Sequence, residues 1–150
     1  MQERGGQVSK EDILKALSAG YPKAEPRKKL NRILSNLINN SENIQSAIVA
    51  STEGLPVAWV AKEKATMKEE GKIAAAVSVI FLTSERNALD LDKGHVNNII
   101  VKGKDGYVIL RLVGEDYVLA SVTSEKTRPA VIIRDMSNVS NKIAKVLKTF

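Results

Sequence analysis

Cysteine is absent from the 150 residues, which excludes disulfides and thiolate metal centres and fits a reducing, cytoplasmic setting. Histidine occurs once, as His95. A single imidazole after Gly94 is too little for a transition-metal site or a catalytic dyad, and it reads as incidental. Aromatic residues are few: two Phe, one Trp and three Tyr. Tyr107 and Tyr117 fall on neighbouring expected strands, but no aromatic-rich signature of an RNA-stacking sheet surrounds them. No apolar run approaches the roughly 18 residues that span a bilayer. The polar opening Met1–Gly6 is not followed by a signal-type apolar segment, so neither membrane insertion nor secretion is expected.

Hydrophobic residues make up 43% of the chain and charged residues 27%, the balance of a folded domain with one core. The formal charge is +6. Its densest cluster, Arg27, Lys28, Lys29 and Arg32, opens an expected helix and reads either as a solvated face or as an anion-binding patch.

Residues 1–26 read as an appendage. Ser9 with Asp12 gives a helix N-cap, Ile13, Leu14 and Leu17 form a short stripe, and Gly20, Pro22 and Pro26 break it off. Residues 27–150 form the main domain. Leu30, Ile33, Leu34, Leu37 and Ile38 lie on one face of a first helix. Ile44–Ser51 and Val57–Ala61 form a hairpin around Gly54, with Pro56 suited to opening an edge strand.

From Met67 to Leu91 the pattern is helical, yet apolar on two sides. Ile73, Val77 and Ile80 form one stripe, and Ala75, Val79 and Leu82 another, displaced by about 160–200° at 100° per residue. A helix lying on a sheet needs one stripe. A second requires either complete burial inside the monomer or another copy of the helix across a two-fold axis, and the second solution is the more economical in so small a domain. Val96–Lys102, Tyr107–Val113 and Tyr117–Thr123 then form a meander, with Asp105-Gly106 marking its first turn. A final helix opens at Pro129 and carries Ile132, Met136, Val139, Ile143, Val146 and Phe150 on one face. Consecutive hairpins among helices predict an α+β domain with an antiparallel sheet.

Catalytic signals are missing. Asp90 and Asp92 have no EF-hand loop around them. No Walker-type loop is present. Gly103-Lys104-Asp105-Gly106 has the spacing of a KH-type GxxG but joins strands rather than helices. Trp59 reads as half-buried packing in preference to an exposed anchor. No catalytic residue, cofactor or metal is expected.

Several phrases, in this order, resemble the Roadblock/dynein-light-chain family. They are Ala47-Ile48-Val49-Ala50-Ser51-Thr52-Glu53-Gly54-Leu55-Pro56-Val57-Ala58, the Ala-rich long helix, Gly106-Tyr107-Val108-Ile109-Leu110-Arg111-Leu112 and Tyr117-Val118-Leu119-Ala120. The resemblance covers about residues 27–150; Glu53 departs from the Asp often found in that turn. It implies a five-stranded antiparallel sheet, with the long helix on one face and two helices on the other, a profilin-like layout. It also implies dimers through the long helix and the middle strand, which makes Ala75, Val79, Leu82, Asn98 and Ile100 the expected interface. Members commonly regulate or scaffold Ras-like GTPases, or anchor assemblies such as dynein. At this length a non-catalytic prokaryotic regulator is the expected role, with Lys68, Lys72 and Arg86 as positions for the partner GTPase. A structural adaptor and a basic nucleic-acid or membrane-surface module are the alternatives. A small-molecule sensor lacks convergent polar groups in the sequence.

Overall fold

A computed structural model describes residues 24–63 and 68–150, and the expected helix around Ile13–Leu17 lies outside them. The elements run α1 (Ala24–Asn39), β1 (Ile44–Ser51), β2 (Pro56–Ala61), α2 (Lys68–Asp90), β3 (Asn98–Gly103), β4 (Gly106–Val113), β5 (Tyr117–Ser124) and α3 (Pro129–Leu147). The strands form one sheet in the order β2-β1-β5-β4-β3, every neighbouring pair antiparallel.

Strict alternation along the central strands separates two cores. Ala47, Val49, Ile109, Val113 and Leu119 point to α1 and α3, where they meet Leu30, Leu34, Ile38, Ile132, Met136 and Ile143. Ile48, Ala50, Leu110, Val118 and Ala120 point the other way and are covered by Ala74, Val77 and Phe81 of α2. This is the five-stranded, three-helix layout expected, with the long helix alone on its face.

Several boundaries differ from the sequence reading, each for a local reason. Helix α1 begins at Ala24 and carries Pro26 in its first turn, where the missing N–H has no intrahelical partner to lose. Strand β3 begins at Asn98 rather than Val96, because the Val96 N–H is taken by the Glu85 carboxylate at 3.1 Å. On α3 the buried line drifts to Ser140 and Leu147; Val139 and Val146 flank it, and Phe150 lies beyond the helix.

Two turns depend on glycine. The β1–β2 turn reaches α2: Ser78 Oγ donates to the Thr52 carbonyl at 2.6 Å, and Gly54 lies beside Ser78 and Ala75 at φ +96°, a conformation that side-chain-bearing residues rarely adopt. The β3–β4 hairpin closes on a Gly103–Gly106 pair. Among the described residues Asp92 is the sole non-glycine with positive φ, so Lys104 and Asp105 do not make the type I′ turn that Asp-Gly usually signals. Gly106 is instead the first strand residue, and a Cβ there would run into the Thr123 carbonyl oxygen.

Candidate interaction surface

Helix α2 is laid on the sheet by Ala74, Val77, Ser78 and Phe81, all buried, with Ile73 and Ile80 half-covered beside them. This settles which stripe meets the sheet. The opposite stripe is open: Val79 is 64% exposed and Leu82 51% exposed, with Ala75 also exposed. The same line continues to Lys72 and Arg86, both exposed. Lys72, Ala75, Val79, Leu82, Arg86 and Leu89 follow steps of three and four residues, the spacing of a helix-pairing seam. The expected interface residues and the expected partner residues therefore share one stripe, with Lys72 and Arg86 about 21 Å apart along the axis. The side chain of Lys68 lies outside the described residues.

Beyond this seam the apolar surface runs on. At the C-terminal end of α2, Lys93 N–H bonds to the Ala88 carbonyl and Asp92 N–H to that of Leu89, which is a Schellman cap with Asp92 at the left-handed position, φ 59°. Asp92 is thus a helix stop. His95 also has a structural neighbour: its Nδ1 lies 3.0 Å from Glu85 Oε1. Glu85 therefore holds the α2–β3 loop against the helix.

Strand β3 is the outer strand on this side, and Ile100 is 49% exposed with Val101 also open. Asn98 accepts from Arg111 Nη1 at 3.0 Å across the β3–β4 pair, which fixes its amide at the rim. Of eight large hydrophobic residues exposed among those described, six lie on α2, its cap or β3. That concentration is far from the scatter expected of ordinary surface. Leu89, Leu91 and Val101 were not anticipated. Leu89 was within reach, since it extends the spacing of Val79, Leu82 and Arg86. Val101 was hidden in Ile99-Ile100-Val101, where an unbroken apolar run conceals the strand's faces.

The other concavities are modest. A cleft of about 350 Å³ beside Trp59 is lined by Gln45, Ser46, Lys62, Glu63, Glu69 and Ile73. Trp59 is half-buried and packs on the α2-side core. Among the described residues no group of three or more His, Asp or Glu stands close enough to hold a metal ion, and no helix is long and apolar enough to cross a membrane.

Comparison with known proteins agrees with this fold. The family profile described as the Roadblock/LC7 domain matches residues 30–123. A Roadblock/LC7 domain from Streptomyces avermitilis superposes with a TM-score of 0.73 at 18% identity, covering 79% of this chain and 97% of that one. The gliding protein MglB from Thermus thermophilus gives 0.76 at 13% identity, over 87% and 96% of the two chains. A profilin from Schizosaccharomyces pombe gives 0.55 at 12% identity, over 77% and 97%. At these identities the likeness is one of fold. No curated protein matches the chain in sequence.

Proposed function

The chain belongs to the Roadblock/LC7 domain family, and we propose that it is a non-catalytic homodimeric platform that binds a small Ras-like GTPase and modulates or localises it. The observation that carries this reading is the uncovered α2 seam beside an open β3 edge. A monomer would leave both the apolar stripe and a row of strand hydrogen-bonding groups in water.

A two-fold axis between Val79 and Leu82 satisfies both at once. The seam is symmetric about that point: Val79 meets Leu82 of the second copy, Ala75 meets Arg86, and Lys72 meets Leu89. Small Ala75 leaves room for the Arg86 stem, whose guanidinium can reach water at the rim. The same axis sets the two β3 strands edge to edge through Asn98 and Ile100. The ends of the paired helices then present Lys72 and Arg86 to a partner.

Regulation by such a platform is conformational. It favours whichever arrangement of the GTPase switch segments it binds more tightly, and it can shift the equilibrium by no more than that difference in affinity. A partner of this kind places the protein in the cytoplasm. Calorimetric titration of the protein with Ras-like GTPases, loaded with GDP or a non-hydrolysable GTP analogue, tests the proposal. Nucleotide-dependent binding supports it. Failure to bind any of them in either state overturns the GTPase reading and leaves a structural adaptor.

A further inference from the structure

The charge of this domain is divided between the two faces of its sheet. Helices α1 and α3 with Lys148 carry eight basic residues and two acidic ones, a balance of +6 that equals the net charge of the whole chain. Helix α2, on the far face, carries three basic and four acidic residues. The sequence shows the Arg27–Arg32 cluster, but only the fold shows what stands beside it. Helices α1 and α3 pack together, and the polar cleft formed by Asn40 and Ser41 with Arg128 and Val131 places the end of α1 against the start of α3. The helices are therefore antiparallel. The first turns of α1 lie beside the last turns of α3, which brings Lys28, Lys29 and Arg32 to the end that holds Lys142, Lys145 and Lys148, all six exposed.

We propose that this α1/α3 face docks on the surface of an anionic lipid bilayer. Five of the six bases are lysines, compact point charges that suit a layer of headgroup phosphates and carboxylates rather than bidentate recognition. Both helices spend their apolar faces on the sheet, so contact is peripheral. Phe150, 42% exposed just beyond Lys148, supplies one apolar group at headgroup depth. A polynucleotide fits less well. Trp59 packs on the far side of the sheet, and Tyr107 and Tyr117, on this side, are half-buried against the core, so the face offers no fully exposed aromatic on which bases could stack. Among the described residues the acids bordering the cluster are Glu25 on α1, Glu70, which Arg27 holds, and, in the cleft beside Lys148, Glu115 and Asp116.

The assignment rests on charge placement in one chain and stands without the GTPase.

Co-sedimentation of the full chain with vesicles of phosphatidylcholine alone, or of phosphatidylcholine with phosphatidylserine, tests the proposal. Expected are retention on the anionic vesicles only and release by high salt. Reversing Lys29, Lys142 and Lys145 to Glu is expected to weaken retention about a hundredfold or more, with Lys104→Glu, in the exposed β3–β4 turn, as an unaffected control. Circular dichroism checks that the reversed variant folds. If it does not, the corresponding Gln substitutions, at least about tenfold weaker in retention, take its place. Equal retention on both vesicles, no retention, or retention indifferent to these lysines overturns the proposal. Tighter binding to RNA than to anionic vesicles at the same salt also overturns it and reassigns the face to nucleic acid.

Discussion

Arg27 on α1 holds Glu70 on α2 although the two helices cover opposite faces of the sheet. One guanidinium nitrogen, Nη2, donates to both carboxylate oxygens, at 2.8 Å and 3.2 Å. The Glu70 side chain is 7% exposed and that of Arg27 29%, so the acid is the buried partner and the base its link to water. The pair clasps together the helix layers on the two faces of the sheet.

Arg27→Ala should therefore cost about 1–3 kcal/mol in urea unfolding, less than a fully buried pair because Arg27 is partly solvated. Glu70→Gln should cost less, since it leaves no buried charge behind. An unchanged midpoint for Arg27→Ala would show that water already compensates Glu70.

Val79→Glu should separate the dimer without unfolding the domain. The side chain stands in water in the single chain, so the change in monomer stability should stay within about 0.5 kcal/mol. Light scattering at micromolar concentration should show a dimer for the parent chain and a monomer for the variant. A parent chain that is monomeric at that concentration would sink the platform.

Gly106→Ala should lower stability by about 2–4 kcal/mol, since it combines a positive φ with a collision against the Thr123 carbonyl. Gly103→Ala, across the same hairpin, meets nothing closer than the Gly106 carbonyl oxygen at 3.4 Å and should cost about 1 kcal/mol or less. Equal losses would mean that strand entropy, rather than space at Gly106, governs the turn.

Asp92→Gly should raise stability by about 0.5–1 kcal/mol. The Schellman cap places a side chain where glycine has no steric penalty. Thermal melts read the gain directly. A lower midpoint would show that the Asp92 side chain contributes to the loop more than its conformation costs.

Most of the fold was legible from spacing. The two stripes on α2 were visible because its apolar residues exceed what one sheet face can cover, and the single helix on that face leaves Val79 and Leu82 open. What spacing could not settle was which stripe meets the sheet, since Ile73, Val77 and Ile80 share the same helical spacing as Ala75, Val79 and Leu82. The small residues decide it, Ala74 buried in the core against the sheet and Ser78 bonded to the β1–β2 turn. The start of β3 was misplaced because a side chain, Glu85, takes the N–H that a ladder would have used. Likewise, Asp105-Gly106 located the hairpin while hiding its geometry. The basic face was half legible: Lys28 and Lys142 are more than a hundred residues apart, and nothing local marks them as neighbours.

The unequal edges of the sheet bear on how far assembly can go. Strand β2 opens with Pro56, which cannot donate to an added strand, whereas β3 is unguarded. A sheet with two open edges can add copies end to end as a filament. One whose second edge is blunted favours a single symmetric pairing over end-to-end growth, so Pro56 biases any edge-to-edge assembly of this sheet toward β3.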